Sequence, residues 1–466
     1  MIRILIGIVL VLLATAAIQA QVSMTPISNR YLGLYQGSAE AAAKAVRAAG
    51  GTVVFNHDGA GLIVAESDAP NFAAALGASP AFTDVIHDQQ VQWDLGQTAA
   101  GSGSVIQGAA PAQATTANTN LVQSPFDAFF LPIQWNIFRT QTDQAWLITQ
   151  GNPTIKVAVV DTGICTHQLD LIGKVDTAFS TSFVPPGSEV PDTVNPACVG
   201  CPPWEDRHGH GTTVASIIST NNFGVAGVAP QVRLRAVKAL NATGSGLFGW
   251  ELLGVIYAAD TGNDVINCSF GGALHKSDLA KMGDPSMHFF NRAVNYAQRK
   301  GALVVAGSAN DSIDLDHDGD LVVIPCQSGA GMCIGGTTFT DALSSFSNHG
   351  VSAVNIMAPA GGLPVDPFTP TLFNVFILGA CSAHSVNDPI CAPGDLYVFH
   401  TGTSLATPMV SGAAALLAGL DPSLHGQPQR LKAALTNTAD DLGAPGADNL
   451  FSRGRLNTLR AVESSR

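Results

Sequence analysis

Val/Ile/Leu-rich runs that alternate with helix-forming stretches constrain this chain more than any other feature. Ile155 to Val160, Val232 to Val237, Val265 to Cys268 and Ala302 to Val305 read as strands, and helical stretches beginning at Val214, Trp250 and His288 fall between them. Runs of this kind are stable when both faces of a sheet are covered, and the intervening helices supply the long crossovers that parallel pairing requires. The sequence therefore predicts an α/β fold, a parallel sheet covered by helices on both faces. In such sheets, sites form at the carboxyl ends of strands. Asp161, Ser269 and Asn310 each fall at or just beyond such an end.

Chemistry-bearing residues collect at the same places. Gly402 to Pro408 precedes an Ala-rich run to Leu420 that reads as a buried helix, so Ser404 stands at a helix N-terminus. Backbone N–H groups there lack intrahelical partners and can hold a developing negative charge. Pro408 suits a place in the first turn. Alone, Ser404 reads as an N-cap. Val159 to Gly163 adds the carboxylate of Asp161 at a strand end before a tight turn, His208 to Ala215 adds the imidazole of His210 where a helix begins, and Val304 to Asn310 ends a strand in a side-chain amide. A serine hydroxyl is a weak nucleophile near neutral pH. It needs a base such as His210 to take its proton and return it to the leaving group. It also needs a carboxylate such as Asp161 to hold the imidazole tautomer, and donors such as Asn310 and the Ser404 N–H for the oxyanion. Singly each residue is an ordinary turn, cap or satisfied polar group; jointly they are not.

These motifs, in the order Asp, His, Ser, closely resemble those of the subtilisin-like serine peptidases, peptidase family S8. Asp161-Thr162-Gly163 matches the family's Asp-Ser/Thr-Gly, His210 onward matches His-Gly-Thr-x-Val-Ala, and Gly402 to Pro408 matches Gly-Thr-Ser-x-Ala-Thr-Pro. The Gly-x-Ser-x-Gly elbow of α/β-hydrolases is absent around Ser404. The resemblance implies a secreted serine endopeptidase acting on polypeptides, with Asp161, His210 and Ser404 as its triad and His208 outside it. Asn310 would be the oxyanion donor, and no cofactor would be needed for catalysis. It also implies a groove in which Gly244, Ser245 and Gly246 on one side, and Ser269, Phe270 and Gly271 on the other, take an extended substrate by strand addition. The family usually has glycine where Ala309 stands, and alanine costs energy there if the position needs positive φ. A catalytically inactive relative that binds peptides through the same groove is the competing reading.

Residues 30 to 93 read as strand, helix, hairpin, helix, strand. Tyr31 to Tyr35 alternates, Ala39 to Ala49 is helix-forming, Thr52 to Phe55 and Leu62 to Ala65 flank Asp58-Gly59, Asn71 to Leu76 is a short helix, and Asp84 to His87 restores the strand pattern. So small a unit buries little surface alone. It resembles the family's inhibitor-I9-like propeptide, which implies a ferredoxin-like α+β domain over residues 21–95 that inhibits and chaperones its own enzyme. Residues 96–124, rich in Gly, Ala, Ser, Thr and Gln, read as a flexible linker containing the maturation site, with the catalytic domain over 125–466. Residues 1–20 have the layout of a secretory signal cleaved after Ala20: Arg3, an apolar run from Ile4 to Leu13, then small residues. The expectation is an extracellular protein, periplasmic in a Gram-negative cell, whose mature form is not embedded in a membrane.

A formal net charge of -13 without a basic stripe argues against nucleic acid as a partner. Eight cysteines in an exported chain point to disulfides: Cys326 with Cys333, Cys381 with Cys391, and Cys198 with Cys201. A zinc reading of Cys198-x-x-Cys201 would need a second ligand pair at matching spacing, and none is evident. Cys268 reads as a buried thiol, and Cys165 as free or paired with the Cys198 loop. Asp314, Asp316 and Asp318 alternate before Gly319 as in calcium loops, but Pro325 stands where the closing bidentate acid is expected. Structural calcium, a solvated acidic turn, and carboxylates beside the specificity pocket are all open readings of that loop. The stretch 361–400 is longer than the resemblance requires, and reads as a stapled flap or a surface excursion.

Overall fold

The computed structural model describes residues 22–98, 105–107, 122–189, 198, 200–277, 279, 285–364, 372–387, 391 and 395–466. Seven strands make one sheet, in the order Ile356–Pro359, Met332–Thr337, Leu303–Gly307, Val265–Cys268, Lys156–Asp161, Arg233–Lys238 and Thr181–Ser182. Every neighbouring pair is parallel. Along Lys156–Asp161, alternate side chains serve opposite layers. Ala158 and Val160 pack with helices Phe248–Asp260 and Ser286–Arg299, whereas Val157 and Val159 pack with helices His210–Ile218 and Thr403–Leu420. That two-sided burial is why the strand sequences lack a polar face. Helix Thr403–Leu420 is long and apolar enough to cross a membrane, but 89% of it is buried inside the protein. It is the central core helix, apolar all round because it is covered all round.

Residues 22–98 add a second sheet built from Ser23–Tyr35, Thr52–His57, Leu62–Glu66 and Phe82–Gln92, and its fifth strand, Ser245–Leu247, comes from the main body. Helices Ala39–Ala48 and Phe72–Gly77 cover one face of it. The other face carries Leu32, Leu34, Leu62, Val64 and Ile86 into the core shared with helices Phe248–Asp260 and Ser286–Arg299. A unit too small to bury its own surface thus buries it against a partner. Asp88, fully buried, accepts from the Gly249 N–H at 2.9 Å and from Arg30 at 2.9 Å, placing a carboxylate at a helix N-terminus that has no cap of its own.

Two expectations need correction. Within 96–124, Gln97–Thr98 and Val105–Gln107 are not free linker but antiparallel strands on Leu396–Thr401. The stretch 361–400 is not an excursion, because Ile377–Ala380 and Leu396–Thr401 form a buried hairpin that leads directly into helix Thr403–Leu420. The signal segment 1–20, and linker residues 99–104 and 108–121, lie outside the described residues. Cys198–Cys201, Cys326–Cys333 and Cys381–Cys391 are paired, and Cys165 and Cys268 are buried free thiols.

Candidate active site

Asp161 ends the strand from which the chain passes to both sides of the sheet, the place where such folds open a crevice. The turn after it requires glycine: Gly163 has φ +114°, and a Cβ there would meet the Trp204 carbonyl oxygen at 2.4 Å. Asp161 is fully buried, and its Oδ1 accepts from the Thr162 N–H at 2.7 Å and lies 2.7 Å from His210 Nδ1. His210 opens helix His210–Ile218. The carboxylate of Asp206 anchors that helix start by accepting from the N–H groups of His208, Gly209 and Thr212. Asp206 was not singled out from the sequence, although an acid just ahead of a helix is a recognisable signal.

Burial opposes the charged form of His210, but the charge and hydrogen bond of Asp161 outweigh it, with Asp206 and Asp94 adding, so its pKa lies above the ordinary value. His208 is pushed down to about 4 by burial and by the His210 charge. His400 is pushed down to about 3 by burial and by the charges of His210 and His208. Of these three histidines, His210 alone is held above its ordinary value, the charged form being favoured.

Ser404 is the second residue of helix Thr403–Leu420. Its Oγ donates to the Ser269 carbonyl at 2.8 Å, and Ser269 Oγ donates to the Ser404 carbonyl at 2.9 Å. Pro408, expected in the first turn, lies one turn further in. Lacking an N–H, it leaves the Ser404 carbonyl free, and the Ser269 hydroxyl takes that acceptor. His210 Nε2 has no hydrogen bond among the described residues. For Ser404 Oγ to donate to His210 Nε2 instead, it would have to leave Ser269, a rearrangement of the kind that comes with substrate binding.

Asn310 follows strand Leu303–Gly307. Its Oδ1 accepts from the Thr403 N–H at 2.9 Å and the Thr403 hydroxyl at 3.1 Å, while its Nδ2 donates to the Asp94 carbonyl at 3.4 Å. Ala309 does take positive φ, +67°, at a cost of about 1–2 kcal/mol for an L-residue. Even so, Asn310 faces the groove.

The groove is filled from within the chain. Gln92, Val91 and Gln90 pair antiparallel with Ser245, Gly246 and Leu247. The expected facing segment contributes differently: Phe270 packs its ring on Trp93 with centroids 6.0 Å apart, Ser269 holds Ser404, and Gly271 leads into strand Gly272–His275. Trp93 also stacks on Phe248, and its Nε1 donates to Glu251 at 2.6 Å. Burial pushes the Glu251 carboxyl well up. Glu251 escapes sequence reading because it stands inside a run that looks like a plain core helix. Beyond Trp93, the Gly96 N–H donates to Asp94 Oδ1 at 2.9 Å, and Gln97–Thr98 pairs with His400–Thr401. Residues 90–98 therefore cross the whole site.

The family profile that matches residues 152–454 is that of the subtilase family. The chain belongs to this family. Thermitase of Thermoactinomyces vulgaris is 31% identical over 343 residues, covering 73% of this chain and 99% of that protein. Subtilisin Savinase of Lederbergia lenta is 32% identical over 333 residues, 71% of this chain and 98% of that one. Among solved structures, the epidermin leader peptide processing serine protease of Staphylococcus aureus has a TM-score of 0.70 at 22% identity, covering 94% of this chain and 98% of that one, a likeness of fold. This subtilase is a serine-type endopeptidase.

In the acidic loop the carboxylates face separate donors. Asp314 Oδ2 lies 2.7 Å from His317 Nδ1 and accepts from Asn449 at 2.7 Å. Asp316 accepts from the N–H groups of Val351 and Ser352 at 2.8 and 3.0 Å, and Asp318 from that of Asp320 at 3.2 Å. Asp314, Asp316 and Asp318 thus do not come together as one ligand group among the described residues, so neither the calcium nor the specificity-pocket reading gains support from their placement. Asp311, just after Asn310, has its pKa raised by burial, against the opposing hydrogen bond of Asn348 and with the Asp94 charge adding.

Proposed function

We propose that this subtilase is exported through residues 1–20 as a precursor, and that residues 21–95 act as its intramolecular inhibitor and chaperone. In the released enzyme, a polypeptide substrate takes the edge that Gln90–Gln92 now occupies. Ser404 attacks the scissile carbonyl while His210 Nε2 accepts the hydroxyl proton, and Asp161 steadies the imidazolium through Nδ1. The Asn310 amide and the Ser404 N–H hold the oxyanion. His210 then hands its proton to the leaving amine, and water repeats the cycle on the acyl-enzyme.

The observation that carries this reading is the path of residues 90–98. They add a strand to Ser245–Leu247, present the Asp94 carbonyl to Asn310 Nδ2 and continue along His400–Thr401, as an inhibitor bound like a substrate would. Separation of 21–95 from the enzyme then requires cleavage within 96–124, performed by the enzyme itself. A fluorophosphonate should label the mature wild-type enzyme at Ser404, and full-length Ser404→Ala should stay unlabelled and uncleaved on purification. Loss of the first hundred residues from purified Ser404→Ala would exclude self-processing, and labelling that survives the substitution would exclude Ser404 as the nucleophile.

A further inference from the structure

Three loops that carry the proposed catalytic residues meet at a second polar cluster. Cys165 follows the Asp161 turn, Glu205 precedes Asp206 at the start of the His210 helix, and His384 lies in the hairpin connection leading to Ser404. One ligand atom each from Cys165, His167, Glu205 and His384 lies within 4.8 Å of all the others. His384 Nδ1 is 2.9 Å from Glu205 Oε1 and 3.9 Å from Cys165 Sγ, and His167 Nδ1 is 4.0 Å from Glu205 Oε1. A tetrahedral zinc with ligands at about 2.0–2.3 Å separates its donor atoms by about 3.3–3.8 Å, so small side-chain adjustments close the cage. Glu205 supplies an independent sign: only 2% of its side chain is exposed, yet its Oε2 has no hydrogen bond among the described residues. A buried carboxylate oxygen without a donor is costly, and a cation removes that cost.

We propose that this cluster is a structural zinc site with Cys165, His167, Glu205 and His384 as its ligands. One thiolate, two imidazoles and a carboxylate form a borderline-soft, four-ligand set suited to a closed zinc site. Binding displaces the Cys165 proton to solvent, with no change in oxidation state. Sequence spacing pointed instead at Cys198-x-x-Cys201 and gave it no partners. The fold sets that disulfide beside the cluster, with Cys201 Sγ 3.8 Å from His384 Nδ1. A cleft of about 550 Å³ lined by Cys198, Cys201, Pro202, Glu205 and Arg207 opens next to it. The site would tie the Asp161, His210 and Ser404 loops to one point. Cys165 already joins two of them, since its N–H donates to Thr212 of the His210 helix at 3.0 Å.

Full-length Ser404→Ala, which cannot digest itself, serves as the background. After dialysis against trace zinc it should retain about one zinc per chain by mass spectrometry. Cobalt substitution should give a thiolate-to-cobalt charge-transfer band that Cys165→Ser abolishes. His167→Gln, at an exposed position, should leave the circular dichroism unchanged and weaken zinc binding by at least about 10-fold. Chelation should lower the melting temperature of the parent but not of Cys165→Ser. Absence of zinc at micromolar free metal overturns the proposal. Undiminished zinc and charge-transfer intensity in Cys165→Ser, with loss in Cys201→Ser, overturns it too by assigning the metal to the other thiols.

Discussion

The buried site and the acidic loop 314–320 both offer carboxylates, and they use them in opposite ways. In the loop, the carboxylates are met by donors: Asp314 faces His317 and Asn449, Asp318 accepts from Asp320, and Asp316 pins Val351 and Ser352. In the site, partners come from distant elements, Asp161 to His210 across 49 residues and Ser404 to Ser269 across 135. There, hydrogen-bonding capacity is left over. Asp161 Oδ2, His210 Nε2 and Glu251 Oε2 are buried without a partner among the described residues. Buried polar groups are normally matched, so unspent capacity marks a place kept for something other than stability. The loop meets its carboxylates with donors; the site keeps buried polar atoms free.

That contrast fails most visibly if Asn310 is dispensable. Asn310→Ala should lower kcat by about 10²- to 10³-fold with little change in KM, because the donor acts on charge that develops only in the transition state. Retention of kcat within a factor of about 3 would mean that backbone donors alone hold the oxyanion. The next largest effect is expected at Glu251. Glu251→Leu leaves the Trp93 indole N–H buried and unpaired, a cost of about 1–3 kcal/mol, so residues 21–95 added in trans should inhibit about 10- to 100-fold more weakly. An unchanged inhibition constant would show that Trp93 is held by Phe248 and Phe270 alone.

A smaller effect separates the contributions to His210. In the Ser404→Ala precursor, NMR titration should place the imidazole pKa above the usual value of about 6.5, since Asp161, Asp206 and Asp94 together outweigh burial. A carboxylate stabilises the imidazolium, so Asp94→Asn should move that titration to lower pH. Because catalysis needs the neutral base, kcat/KM of the mature enzyme should fall as pH drops through the His210 pKa. A shift to higher pH in Asp94→Asn would contradict the electrostatic assignment.

The parallel sheet was legible because strands buried on both faces leave an unmistakable apolar run, as Lys156–Asp161 does. Asp161, His210, Ser404 and Asn310 stood out because each lies at a strand end or helix start beside glycines and small residues that are themselves constrained, Gly163 most clearly. Glu251 and Glu205 were not legible. Each is a lone acid in an unremarkable stretch, and its meaning comes from Trp93 or from His384, 158 and 179 residues away. The outer reaches of strands Ser23–Tyr35 and Phe82–Gln92 were missed for a related reason, since Pro26 pairs with Gln89 where neither residue signals a strand. Acidic spacing in the loop 314–320 is a property of sequence, whereas convergence of its oxygens is a property of the fold that spacing alone does not give.

The smallest predicted effect tests the other side of the comparison. Asp316→Ala removes the acceptor for the Val351 and Ser352 N–H groups, which are exposed and can turn to water instead. The melting temperature should fall by less than about 4 °C, and kcat/KM should stay within a factor of about 2 of the parent, with or without added calcium. A loss of activity as large as that of Asn310→Ala, restored by calcium, would mean that the loop does collect a cation and that its carboxylates swing away from Val351, Ser352 and Asn449 to do so. The distinction between satisfied and unspent polar groups would then depend on ligand state. With the effect near zero, unmatched buried oxygens remain the better guide to function in this chain than acidic spacing, and the one at Glu205 becomes the place to look next.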